Sequence, residues 1–298
     1  MSEQWQHQSE RGNQFGLNLM VRAALTLGRP FTSLLLFPVA TYFVFAAGEA
    51  RRASASFLQR IYGRAPTLME IWRHFYSFAR VTVDRVFFLA GKTQSFNLEV
   101  QGLDKLSAAL DKGGVLLLLS HFGSFDVMRN LASHQQQVKI SVVMDRESGA
   151  RFTETIAAVN ADFDAQIIDA NCGPVELIFR VKQALDEGHV VGLMGDRLIG
   201  GNRTLPVELL GSSVELPITA YQLALATSTP LFVGFGVFLG GVKYRSDYHA
   251  LLSGDSVARR DRGDATQQGL VAYTRLLEQY ALDYPYNWFN FYDFWADT

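Results

Sequence analysis

The stretch Val115–Asp126, VLLLLSHFGSFD, decides the fold. Val115–Leu119 is too short for a helix and shows no alternation, so it reads as a strand buried on both faces. Gly113-Gly114 punctuates its start and Gly123 its end. Ser124 is then placed to cap a helix through Phe125–Ser133. His121 therefore falls where a buried strand opens toward a helix N-terminus, and Asp126 lies in the first turn or two of that helix. A carboxylate there comes within reach of one ring nitrogen and leaves the other for chemistry, which is what a general base needs. A histidine closing a strand is also a common structural residue, and His-x4-Asp occurs by chance. The strand–turn–helix setting favours chemistry, because α/β sheets bind ligands beyond the C-terminal ends of their strands.

Outward from this stretch the pattern stays α/β. On the N-terminal side, Phe96–Gln101 alternates like a strand and Leu103–Asp111 reads as a helix. Beyond it, Lys139–Met144, Gln166–Asp169, His189–Met194, Leu205–Leu210, Leu231–Leu239 and Tyr244–Leu251 read as strands. Helices are expected over Ala150–Asn160, Val175–Glu187, Ile218–Thr227 (with Pro217 at its start) and Gln267–Tyr280. Strands alternating with helices predict a mixed, mostly parallel sheet flanked by helices. Gly234-x-Gly236 lacks the third glycine of a dinucleotide fingerprint and sits in a strand pattern, so nucleotide binding is rejected there.

The N-terminal third is different. Residues 1–18 form a polar tail, and Phe31–Ala47 is an apolar run bracketed by Arg22 and Arg29 on one side and Arg51 and Arg52 on the other. It falls at the lower edge of the ~20 residues that span a bilayer, and Pro38 is expected to kink it. A spanning helix, a helix dipping into one leaflet and a core helix all fit, with membrane insertion favoured. Pro66–Ala90 has helical periodicity, with Leu68, Ile71, Trp72, Phe75, Phe78 and Ala79 on one stripe and Arg73, Arg80 and Arg85 off it. A packed helix and a helix lying along a membrane surface both fit. These segments define a polar tail over 1–18, a membrane-associated helical region over 19–92 and an α/β domain over 93–298.

Composition narrows the function classes. The 298 residues are 48% hydrophobic and 19% charged, with 27 basic against 29 acidic side chains, so no global basicity argues for nucleic acid. One cysteine, Cys172, excludes a disulfide framework and a cysteine-based metal site within the chain. No His/Cys/Asp/Glu spacing suggests a metal, and no cofactor is implied. A second site block, Gly195-Asp196-Arg197 with Gly200, Gly201 and Arg203 beyond it, also follows a buried strand and should open on the same sheet edge as His121. Arginine suits phosphate by its fork of donors, although an internal Asp–Arg pair in a surface loop fits equally. Donors near the Gly123–Ser124 turn are positioned to stabilise an oxyanion.

HFGSFD resembles the His-x4-Asp/Glu signature of the glycerolipid-type acyltransferases, and its surroundings resemble the late acyltransferases of lipid A biosynthesis, from about Leu19 to Trp295. The resemblance implies a membrane-associated bacterial acyltransferase at the cytoplasmic face of the inner membrane. It would move a fatty acyl group from acyl carrier protein, or less readily coenzyme A, to a hydroxyl of a lipid or glycolipid. It implies His121 as base, Asp126 as its orienting acid, and substrate contacts at Gly123, Ser124, Asp196, Arg197, Arg203, Arg146 and Arg151. The tail Tyr284–Trp295 keeps a tryptophan, Trp288, but has Phe291, Tyr292 and Asp293 where the lipid A enzymes are basic, and so resembles variants of aryl-polyene pathways. A hydrolase on the same dyad and a non-catalytic lipid-binding scaffold are the alternatives.

Overall fold

The computed structural model describes residues 14–128, 138–145, 165–197 and 203–295. Helix α1 (Gln14–Ala46) is two helices joined at Gly28, whose φ of 76° is open to glycine and strained for other residues. Pro30 follows directly, whereas Pro38 sits inside the helix with helical backbone, so the bend lies at Gly28 and not at Pro38. Helix α2 (Gly48–Tyr62), which the sequence reading left unassigned, ends on Gly63 in the left-handed conformation. Helix α3 (Leu68–Leu89) begins with a capping box, Thr67 and Glu70 bonding each other's backbone N–H.

Helices α1 and α3 pack antiparallel in constant register. Arg29 pairs with Asp84 at 2.8 Å, Ser33 meets Arg80, and the Trp72 indole donates to Thr41 Oγ1 at 3.0 Å. Arg80 therefore turns inward, 6% exposed, and is not a solvent-facing charge of α3. Asp84 accepts from Arg29 and from the Tyr244 hydroxyl at 2.9 Å while Arg80 lies 3.5 Å away, so this fully buried carboxylate is compensated on several sides. Leu36, Ala40 and Val44 of α1 are buried, but Leu34, Phe37, Tyr42 and Phe45 are 60–71% exposed. Among the described residues, Gly28–Ala46 is the one helix long and apolar enough to cross a membrane, and only 22% of it is buried.

The sheet has seven strands: β1 (Asn97–Gln101), β2 (Val115–Leu119), β3 (Ile140–Met144), β4 (Ala165–Asp169), β5 (Val190–Met194), β8 (Leu231–Gly240) and β9 (Lys243–Leu252). Their order is β1-β9-β8-β2-β5-β3-β4, parallel throughout except for the β8–β9 hairpin. The mixed, mostly parallel α/β sheet is thus the one the sequence predicts. β2 is central, flanked by β5 and β8, which explains its unbroken apolar run: Val115, Leu116 and Leu118 are fully buried. The further α-helices are α4 (Leu103–Leu110), α5 (Pro174–Asp186), α6 (Thr219–Thr227) and α7 (Arg262–Asp283). One core cluster runs from Phe57, Leu58 and Phe75 of the N-terminal helices through Leu116, Leu118 and Val191 to Tyr273 and Leu277.

Two features differ from the sequence reading. β6 (Thr204–Leu209) and β7 (Ser212–Pro217) form a separate antiparallel hairpin. Pro217 pairs with Thr204 at the end of β7 instead of opening α6, because Val214 and Leu216 alternate inward and extend the strand to the helix. The helix expected over Ala150–Asn160, and the end of the one through Phe125–Ser133, lie outside the described residues; Phe125–Met128 is helical.

Candidate active site

β2 and β5 run side by side, Leu119 opposite Met194, so the chain leaves both at the same edge of the sheet. Two residues beyond each strand lie His121 and Asp196. The His121 backbone N–H donates to Asp196 Oδ2 at 2.8 Å, and its ring Nδ1 lies 2.9 Å from Oδ1. The carboxylate on His121 is therefore Asp196, not Asp126 as the spacing suggests. The reason is geometric: adjacent parallel strands fix two loops face to face, whereas the helix after Phe125 carries Asp126 toward α3. There Asp126, 2% exposed, sits 3.1 Å from Arg85 Nε, whose guanidinium also lies over the Phe125 ring.

Asp196 is 2% exposed and accepts a third bond on Oδ2, from the Trp288 indole at 3.0 Å. Burial alone would raise its pKa, but His121, Arg197 and the Trp288 donor outweigh that and hold the carboxyl at about 2. Desolvation is the largest influence on His121 and pulls it below the ordinary 6.5; Asp196 opposes this and Arg197 reinforces it. At neutral pH the pair is a neutral imidazole, Nδ1–H toward an ionised carboxylate. Nε2 is left as the basic nitrogen, on a side chain 29% exposed.

The turn after His121 is held by backbone alone. Gly123 (φ 59°) donates its N–H to Asn287 O at 2.7 Å, and Ser124 donates to Gly236 O at 2.6 Å. Both backbone amides are therefore engaged, and neither is turned toward an oxyanion in this arrangement. Gly236 serves close approach: a Cβ there would overlap the Ser124 carbonyl, and one on Gly123 would overlap Gly236. Phe289 N–H donates to His121 O at 2.8 Å, completing an antiparallel bridge between Phe122 and Trp288.

Sequence reasoning noticed the aromatic tail but gave it no place in the site. The structure wraps it across both loops: Arg197 donates to Phe289 O at 3.2 Å and lies over the Tyr292 ring, and the Tyr292 hydroxyl donates to Asp196 O at 3.3 Å. Asn287 bonds both backbone groups of Phe238, at 2.7 and 3.1 Å. His74 of α3 completes the support, bonded to Trp288 O and Ser54 Oγ at 2.9 Å each. An amide-bearing residue beside a tryptophan in an aromatic-rich run, Asn287-Trp288, was the available signal.

Of the residues expected in the site, His121, Gly123, Ser124, Asp196 and Arg197 converge, while Asp126, in the first turn of the helix that follows, faces Arg85. Arg203 is exposed at the foot of the β6–β7 hairpin, and Arg146 and Arg151 lie outside the described residues. Among the described residues no three His, Cys, Asp or Glu side chains converge to hold a metal. The arrangement can take a proton from a hydroxyl at Nε2, with Arg197 as the nearby cation. Compared with known proteins, residues 5–295 match the family model described as bacterial lipid A biosynthesis acyltransferase. No curated protein matches the chain.

Proposed function

We propose, because this chain belongs to the bacterial lipid A biosynthesis acyltransferase family, that it moves a fatty acyl group from an acyl thioester to a hydroxyl of a lipid or glycolipid acceptor. Acyl carrier protein is the preferred donor and coenzyme A the second. His121 Nε2 takes the hydroxyl proton as the acceptor oxygen attacks the thioester carbonyl. The tetrahedral intermediate then expels the thiolate, which leaves with the proton held by His121. Asp196 keeps Nδ1 protonated and stabilises the imidazolium while it exists. Arg197 supplies positive charge to the oxyanion or to an acceptor phosphate. Asp126, through Arg85, sets the helix that follows the turn. Arg203, Arg146 and Arg151 are further acceptor contacts.

The observation that carries this reading is the buried, ionised Asp196 on Nδ1 of a histidine whose other nitrogen is left for a proton. Membrane association at the cytoplasmic face of the inner membrane is supported by the exposed apolar face of α1, including Leu34 and Phe45. The helical region 19–92 would be the membrane-associated part and 93–298 the α/β part. Lipid profiling of cells carrying wild type or His121→Ala, at matched protein level, tests the reading. A lipid lacking one acyl group in the variant is expected and names the acceptor; identical profiles under conditions where the wild-type product is present refute it.

A further inference from the structure

We propose that Trp288 is a positioning residue of this site, its indole N–H orienting Asp196 and, through it, the ring of His121. The proposal rests on the reading of His121 as general base. A carboxylate held by one donor can swing about its Cβ–Cγ bond. Asp196 is held by three: the His121 ring on Oδ1 at 2.9 Å, and the His121 backbone and the Trp288 indole on Oδ2 at 2.8 and 3.0 Å. With donors on both oxygens the plane of the carboxylate is fixed, and so is the direction in which Nε2 points.

Trp288 is itself fixed. It is 1% exposed, with its ring against Phe57 at 5.3 Å and Phe294 at 5.1 Å, each edge to face. Its carbonyl accepts from His74, and the residues on either side of it bond Gly123 and the His121 carbonyl. One segment therefore holds the backbone of the base and the carboxylate that orients it. An indole has a donor and no acceptor, so Trp288 can donate to Asp196 but can accept no proton from it. Its donor also favours the charged carboxylate, one of the influences that keep Asp196 low.

The test is Trp288→Phe, assayed by transfer of radiolabelled lauroyl from lauroyl–acyl carrier protein to a purified lipid A precursor bearing a free hydroxyl. Losing a hydrogen bond to an ionised group should lower kcat about 10- to 100-fold with KM for both substrates unchanged. Without the indole donor Asp196 binds protons more tightly and supports imidazolium more strongly, so the acid limb of kcat/KM moves to higher pH. A packing role alone would not move that limb. Should Phe leave a cavity that unfolds the chain, the benzothiophene analogue of tryptophan at position 288 keeps the ring shape and removes only the N–H. An unchanged kcat and acid limb in a folded variant would overturn the proposal. His121→Ala in the same assay separates the two ideas. If it is inactive while the Trp288 variant behaves as wild type, only the positioning role falls; if it stays active, the base itself is misassigned and both fall.

Discussion

Replacing Asp196 by asparagine tests which carboxylate serves His121. Oδ2 receives two donors, the His121 amide and the Trp288 indole, so the asparagine carbonyl must take that place. Its NH2 group then faces His121 Nδ1, 2.9 Å away, where the carboxylate accepted a proton. Nδ1 must become the acceptor, the ring proton moves to Nε2, and the basic nitrogen disappears. Swapping the orienting aspartate for asparagine in a serine-protease triad costs about 10,000-fold in kcat by the same change of tautomer, about 5 kcal/mol of transition-state stabilisation. Asp196→Asn should lose about 1,000- to 10,000-fold with the fold intact. Asp126→Asn leaves the tautomer alone and weakens the pair with Arg85, so its loss should be at least ten-fold smaller. Steady-state acyl transfer from acyl carrier protein, with circular dichroism to verify folding, measures both. If Asp126→Asn inactivates the enzyme while Asp196→Asn retains most activity, the reasoning fails, and the ring must turn to Asp126 when substrate binds.

His74 makes stability acid-sensitive. Burial is the main cause of its low pKa, about 4, partly offset by the bond to Trp288 O. The unfolded chain takes up that proton near 6.5 and the native state only near 4, so this contribution is complete above pH 6.5 and lost as pH falls toward 4. At 1.36 kcal/mol per pH unit the loss is about 2 kcal/mol by pH 5 and roughly 3 in full. Urea midpoints at pH 8 and pH 5 should show it, and His74→Gln should remove that part of the pH dependence; an unaltered dependence in the variant would contradict it. On α1, Leu34→Ser with Phe45→Ser removes two side chains that are 71% and 64% exposed, each worth about 2 kcal/mol in an apolar phase. Vesicle flotation should weaken strongly with thermal stability unchanged, whereas Leu36→Ser, at a position 4% exposed, should destabilise the fold. Equal flotation of the double variant and wild type would count against α1 as the lipid-facing element.

The sequence by itself determined the sheet and the place of the base. An apolar run without alternation has to be a strand buried on both faces, and a glycine turn after it leaves His121 at the sheet's C-terminal edge whatever else the chain does. The same logic marked β5 and put Asp196 at that edge. The partner of His121 was not legible, because local spacing favours Asp126, five residues away, while the neighbour in space comes from a loop 75 residues on. Only the pairing of β2 with β5 decides between them. The inward turn of Arg80 was hidden in the same way: helical periodicity reports which face a residue occupies, not whether a second helix, here α1 with Ser33, packs over it. Hydrophobic pattern is a property of neighbours along the chain and so fixes elements. The site depends on hydrogen bonds among His121, Asp196 and Trp288, which are neighbours only after those elements have packed.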